Sequence, residues 1–285
     1  MTGLRDVRVN RAVDHVRNHL RSALTIASLA RVAHVSPFHF ARLFKASTGE
    51  TVTRFVQRAR LERAAALMQR SPRRELGDIA LDAGFRSASN FARVFRTHYG
   101  QAPREWDRVS PLADRFPGFE DALAPFRANP PPLHPRRIAI PEQTVAYVRV
   151  PTPFVDDAKL DSGMNTLRAA LARSGMQVGA FVGASWDHPD ATSLDRVCFD
   201  LGVVVPDDVR IEDLSVHRWP AHEAVAVHVN GPRPHLALAW EALYEWIVRT
   251  QATPLDLPSV KWFRRPPDAA RWSHFDVDCA IPLRT

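Results

Sequence analysis

The chain has 285 residues, of which 45% are hydrophobic, 24% charged and 9% aromatic, a balance that excludes fibrous and disordered chains and suits about two globular domains. No uncharged apolar window reaches the roughly 18 residues of a membrane span. The charged start MTGLRDVRVNRAVDHVRNHL also lacks the apolar run of a signal peptide, so a cytoplasmic protein without membrane contact is expected.

The formal charge of +7 is unevenly placed: residues 1–110 carry 20 Arg/Lys against 9 Asp/Glu, and residues 111–285 carry 18 against 22. The basic partner surface is therefore expected in the first part. Within it, residues 29–49 repeat as 79–100. Leu29, Ala30, Ala33 and Val35 match Ile79, Ala80, Ala83 and Phe85, and Phe40-Ala41-Arg42-Leu43-Phe44-Lys45 with Gly49 matches Phe91-Ala92-Arg93-Val94-Phe95-Arg96 with Gly100. Each copy reads as a helix, a short break and a second helix opened by a serine. Thr25 caps the first helix, and Ser36, with Pro37 behind it, caps the second; Ser87 takes the place of Ser36 in the second copy. Phe40, Leu43 and Phe44 share one face, leaving Arg42 on the other, and Phe91, Val94 and Phe95 do the same for Arg93.

Between the copies, Val52 to Gln69 predicts a helix of about 27 Å, with Phe55, Leu61, Ala65 and Met68 on its buried stripe. Two reading helices at its ends suit successive major grooves about 34 Å apart. A guanidinium gives two hydrogen bonds to guanine O6 and N7, which makes Arg42 and Arg93 the candidate base readers on double-stranded DNA. Lys45, Arg96, Arg54, Arg58 and the helix-start amides are candidates for phosphate. The competing reading is a basic helical domain whose arginines are only a solvated face. His15, His19, His34 and His98 show no ligand-like pairing and are expected on the surface or in packing.

The segments SPFHFARLFKASTG, RARLERAAALMQ and DIALDAGFRSASNFARVFRTHYGQAPREW resemble the AraC-type DNA-binding domain over about residues 5–110. That resemblance implies recognition helices starting at Ser36 and Ser87, with base contacts from Phe38, Ala41, Arg42, Ala88, Ser89, Asn90 and Arg93. His39 beside Phe38 is a further contact candidate, with a packing role as its alternative. The family's closing pattern of proline, aromatic and arginine departs here to Pro103, Trp106 and Asp107.

Seven prolines between 111 and 135 predict a linker with a short helical piece near Gly118 to Ala128 and a stiff spacer at Pro130 to Pro135. Beyond it, RIAIPEQTVAYVRV, VGAFVGASW, RVCFDLGVVV, EAVAVHVN, SVKWFR and HFDVDCAIPL read as strands, with helices near Leu160 to Arg173 and Leu236 to Arg249. Pro141 with Val145-Ala146 recurs as Pro220 with Val225-Ala226, and Asp200 to Pro206 recurs as Asp276 to Pro282. An α+β domain of two βαββ repeats is expected. Cys198 and Cys279 fall in apolar strands and are expected as buried thiols, not as a metal site.

GASWDHPDAT, RWPAHEAVAVHVNGP, LALAWEALYEWIVRT and the closing AIPL resemble the GyrI-like effector-binding domain over about residues 136–285, in a Rob-like arrangement behind an AraC-type domain. The resemblance implies an aromatic-lined cleft between the two repeats. Tyr147, Trp186, Trp240, Tyr244 and Phe263 are candidates for its wall, each with core packing as the alternative. Asp187 and His188 lie in the loop matching the family's aspartate-rich turn. Trp262 alternates away from Lys261 and Phe263.

Where the family typically has a glutamate and a tyrosine two apart, this chain has Lys261 and Phe263. The glutamate that would balance a cationic drug is gone, and a lysine there predicts an anionic or neutral effector. The pair that some hydrolase-like relatives use is gone too. With no GxSxG, P-loop or HExxH, no enzyme and no cofactor are expected, and His217, His222 and His228 lack the spacing of metal ligands. The expected organisation is therefore a double helix-turn-helix DNA-binding domain at 1–110, a linker at 111–135 and an effector-binding domain at 136–285. Expected partners are DNA, a small molecule and RNA polymerase as a further candidate. The alternatives are a ligand-free protein-interaction module or a hydrolase-like enzyme in the second domain.

Overall fold

A computed structural model describes residues 6–70, 74–106, 119–153, 157–176, 179–186, 192, 196–265 and 272–284. The chain divides into two compact units, the first running to Arg115 and the second built from Phe116–Trp186 and Leu194–Thr285.

The first unit is helical: α1 (Val7–Asn18), α2 (Ile26–Val32), α3 (Pro37–Thr48), α4 (Val52–Arg70), α5 (Leu76–Asp82) and α6 (Ala88–Tyr99). Thr25 and Ser28 form a reciprocal capping box at the start of α2. The sequence repeat is reproduced in the backbone. Helices α3 and α6 are of equal length and end at left-handed Gly49 and Gly100. The breaks within the two copies turn on His34 (φ 56°) and Gly84 (φ 91°), the second of which must be glycine. A Cβ on Gly84 would stand 2.0 Å from the Leu20 carbonyl oxygen, where the Arg60 side chain also arrives to donate to Leu20 O at 3.0 Å and Ser22 O at 3.0 Å. Arg60 thus ties the central helix to the chain after α1.

Two aromatic cores fill the repeat. Phe44 packs against Phe40 and edge-on against Phe55, with ring centroids 5.5 and 5.3 Å away. In the second copy Phe91 packs between Phe85 and Phe95 at 5.2 and 5.3 Å, over Leu61, Ala65 and Met68 of α4. Trp106 closes this second core against Phe95 and Tyr99; Asp107 lies outside the described residues.

The second unit begins with α7 (Phe119–Ala128), followed by β1 (Arg136–Ile140), β2 (Gln143–Pro151), α8 (Asp157–Ser174), β3 (Phe181–Ser185), β4 (Cys198–Val205), β5 (Ser215–Trp219), β6 (His222–Pro232), α9 (Arg233–Thr250), β7 (Ser259–Phe263) and β8 (His274–Leu283). The expected strands and helices are all present, with two corrections. RIAIPEQTVAYVRV breaks at Pro141 into two strands, and Ser215–Trp219 forms a strand that the reading omitted. Its burial alternates, with Ser215, His217 and Trp219 covered and Val216 and Arg218 exposed, as in an edge strand covered on one side.

All eight described strands join one antiparallel sheet in the order β1-β6-β8-β7-β3-β4-β2-β5. The two repeats meet at β3 and β7. Each repeat's leading strand pairs with the other repeat: β1 lies on β6, with Arg136 opposite Ala226, and β5 lies on β2, with Ser215 opposite Tyr147. Helices α8 and α9 cover one face, over a core that includes Val148, Val150, Phe199, Leu201, Val227, Val277 and Cys279. Smaller clusters around Tyr147, Trp219 and Trp262 occupy the opposite face. Helix α7, in the segment expected as a linker, packs on α9: Leu123 is fully buried, Phe126 meets His235 edge-on at 5.2 Å, and Arg127 grips Glu241 with two hydrogen bonds of 2.8 Å.

Candidate DNA-reading surface and ligand face

The start of each reading helix is fixed by its serine. Ser36 Oγ accepts from the His39 amide at 3.3 Å and Ser87 Oγ from the Asn90 amide at 3.2 Å. With Phe40, Phe44, Phe91 and Phe95 turned inward, Phe38, His39, Arg42, Lys45, Ala88, Ser89, Asn90, Arg93 and Arg96 are exposed, and Ala41 is half-buried. Phe38 leaves 75% of its surface in solvent, an unusual place for a large aromatic side chain. The Arg42 guanidinium sits 5.9 Å from the centre of its ring, which restrains the arginine.

Among the described residues, neither Arg42 nor Arg93 forms an ion pair, and both guanidinium groups face solvent. Arg58 behaves differently and corrects the phosphate role expected for it. Its guanidinium is almost covered, bonding Glu50 at 2.6 Å and Glu62 at 2.8 Å. Burial works against its charge, but the two carboxylates outweigh that and raise its pKa. The sequence pattern placed Arg58 off the apolar stripe without showing that two glutamates engage it.

The candidate ligand residues fall on two faces of the sheet. Trp240 and Tyr244, one turn apart on α9, are half-buried against the helix-side core, and Phe263 is buried in it. Lys261 belongs to this group. It is 9% exposed, and its Nζ lies 4.8 Å from the centre of the Phe199 ring and 5.1 Å from that of Trp240. Burial pushes its pKa below the ordinary lysine value. Its cross-strand neighbour Cys279 is raised to about 12, chiefly by burial, and stays a neutral thiol. Among the described residues Lys261 has no hydrogen-bond partner or carboxylate. Apart from the Cys279 thiol, it is also the one buried ionisable side chain on the helix side of the sheet among them.

Tyr147 and Trp186 do not join this group. Tyr147 points to the opposite face and stacks on His217 at 4.1 Å and 6°, while Trp186 lies 5.4 Å from the same imidazole. Beside them is a buried cluster that the sequence reading missed. Arg149 donates from Nε and Nη2 to Asp200 Oδ1 and Oδ2, both at 2.7 Å, and His217 Nε2 lies 2.9 Å from Asp200 Oδ2. Burial alone would raise the Asp200 pKa, but Arg149 and the His217 hydrogen bond hold it well below the carboxylate range. The signal was present as two charges, Arg149 and Asp200, inside otherwise apolar strands. Asp187 and His188 lie outside the described residues.

The fold is thus a duplicated helix-turn-helix unit joined to a two-repeat sheet domain with an amine set in its helix-covered face. The model of the GyrI-like small molecule binding domain matches residues 135–284, more than half of the chain, and a helix-turn-helix domain matches residues 29–108. The chain belongs to the GyrI-like family and carries a helix-turn-helix domain ahead of it.

Among curated proteins it is 28% identical over 110 residues to the bifunctional transcriptional activator/DNA repair enzyme AdaA of Bacillus subtilis, covering 39% of this chain and 52% of that protein. It is 29% identical over 94 residues to the regulatory protein SoxS of Salmonella typhimurium, covering 33% of this chain and 87% of that one. The matched stretch therefore spans about half of AdaA's length. Among solved structures, an AraC-type transcriptional regulator from Chromobacterium violaceum is 28% identical, with a TM-score of 0.35, covering 36% of this chain and 94% of that one. Among the described residues, no helix is long and apolar enough to cross a membrane.

Proposed function

We propose that the chain is a one-component transcription regulator. Its first unit binds specific double-stranded DNA, and its second binds a small anionic or neutral effector that changes DNA affinity or contact with RNA polymerase. The observation that carries this reading is the duplicated reading helix. Two copies on a strongly basic unit present Arg42 and Arg93 exposed and without an ion pair, at equivalent positions. In this reading Arg42 and Arg93 read bases, Lys45 and Arg96 hold phosphate, and the residues from Ser36 to Ala41 and from Ser87 to Asn90 fit the groove. The mechanism is binding without catalysis, and neither a metal nor a cofactor takes part.

On the ligand side, Lys261, Trp240, Tyr244 and Phe263 form the recognition face. A buried amine without a countercharge disfavours a cationic ligand. The test is to select DNA sequences bound by the full chain, then measure anisotropy on the selected site with and without panels of organic anions, neutral aromatics and lipophilic cations. The reading expects a selected consensus whose affinity shifts with a compound from the first two panels. Binding without sequence preference, or a response confined to cations, refutes it.

A further inference from the structure

The chain holds 35 arginines and three lysines, Lys45, Lys159 and Lys261. Lys45 and Lys159 are exposed, where a flexible ammonium is unremarkable. Lys261 instead lies on a central strand of the sheet, at the middle of the seam, with its Nζ between two aromatic faces. For holding a carboxylate or a phosphate, arginine is the stronger choice, because its planar fork binds bidentately and cannot lose its charge. This chain uses arginine at nearly every other basic position. What lysine alone offers at 261 is an amine that can exist uncharged and attack carbon.

The surroundings favour that form. No carboxylate among the described residues holds the ammonium, and burial favours the free amine. Opposite Lys261 on β3 stands Gly183, where a Cβ would come within 2.2 Å of the Phe199 ring. The glycine therefore leaves room for that ring beside the amine, and the Trp240 ring lies 5.1 Å from the same Nζ, so an aromatic carbonyl compound that reaches the amine meets aromatic neighbours.

We propose that Lys261 forms a reversible imine with an aromatic or conjugated aldehyde, so that the sheet domain senses reactive carbonyl compounds; this rests on the reading of that face as the effector site. Nζ adds to the carbonyl carbon to give a carbinolamine. Loss of water, made of the aldehyde oxygen and two hydrogens, then leaves the C=N bond, and hydrolysis restores both partners. No oxidant or reductant is needed.

The test uses the full chain incubated with 4-methoxybenzaldehyde below stoichiometry and sodium cyanoborohydride, which reduces the imine to a stable secondary amine. Peptide mass mapping then compares Lys261 with Lys45, Lys159 and the N-terminal amine. Labelling of Lys261 at least tenfold above the other amines is expected. Lys261→Met, which removes the amine but keeps a flexible side chain of similar length, should lose this adduct while keeping the wild-type circular dichroism spectrum and melting temperature. Equal labelling of all amines, or labelling that spares Lys261, overturns the imine.

Parallel melting curves with benzaldehyde-type and benzoate-type compounds separate the two proposals. Stabilisation by benzoates without an adduct at Lys261 overturns the imine and leaves the effector site standing. An adduct at Lys261 that leaves affinity for the selected DNA unchanged establishes the imine and removes its regulatory meaning.

Discussion

Substituting Asp200 by asparagine takes from the buried Arg149 guanidinium the carboxylate that it holds through two 2.7 Å hydrogen bonds, and the geometry allows the cost to be worked out. The two side chains are 0% and 2% exposed, so solvent cannot replace the lost carboxylate. Breaking such a buried pair by removing one partner costs about 3–5 kcal/mol. In a unit of roughly this size each kcal/mol lowers the melting temperature by about 2–4 °C, so a fall of roughly 6–20 °C follows. Arg149→Met combined with Asp200→Asn should recover most of that loss, because the buried guanidinium that lost its carboxylate is gone and the asparagine oxygen can still bond His217.

Tryptophan emission is a suitable probe, since six of the seven tryptophans lie in residues 136–285. The pH dependence carries a sign. The folded-state pKa of Asp200 is depressed, so its contribution is present above the unfolded value near 3.9 and is lost as pH falls from there toward the folded value. The gap between wild type and Asp200→Asn should therefore stay constant from about pH 8 to 5 and narrow below about pH 4. A fall of less than about 2 °C, or a double variant as unstable as the sum of the singles, would refute the reasoning.

Arg42→Ala and Arg93→Ala should each weaken binding to the selected DNA by about 1–3 kcal/mol, roughly 5- to 150-fold, and relax preference at one base pair, as read by competition with single-base variants. Lys45→Ala should instead weaken binding to all sequences and reduce the slope of log affinity against log salt by about 1, as measured by titration. Gly84→Ala should destabilise the helical unit by more than about 1–3 kcal/mol in thermal unfolding followed at 222 nm, because its φ is positive and its Cβ would collide with the Leu20 carbonyl. Leu123→Ala should cost about 2–5 kcal/mol. Arg127→Ala should cost under about 1 kcal/mol because its ion pair is exposed; equal losses in denaturant titrations would refute the docking of α7 through Leu123.

The helical unit was legible because three independent patterns agreed: the repeat, the serine caps and the phenylalanine stripes. Capping and periodicity are local, so Ser36, Ser87 and Phe44 announced their roles without tertiary information. The sheet was legible as strands but not as pairings. Nothing local in RIAIP says that it will leave its own repeat, and Ser215–Trp219 was missed because two of its three inward residues, Ser215 and His217, are polar.

For the ligand face, alternation correctly separated Lys261 and Phe263 from Trp262. It could not put Tyr147 on the far side from Trp240, because that depends on which face the helices cover. The Arg149–Asp200 pair was missed because an ion pair between residues far apart along the chain leaves no periodic trace. Arg58 was misread although Glu62 stands one helical turn away, because an i, i+4 pair does not by itself show that the arginine is covered.

The exchange of leading strands means that neither repeat can complete its half of the sheet alone. Two separate copies of one such repeat would have to embrace as an interlocked dimer to satisfy the same hydrogen bonds, and their seam would lie on a two-fold axis. There the middle residues of the two seam strands, Gly183 and Lys261, face each other. In a symmetric pair both positions would carry the same side chain. Two lysines would set like charges directly opposite one another, and two glycines would leave no functional group at all. Joining both repeats in one chain is what allows an amine on one side of the axis and empty space on the other, so the recognition face owes its chemistry to broken symmetry.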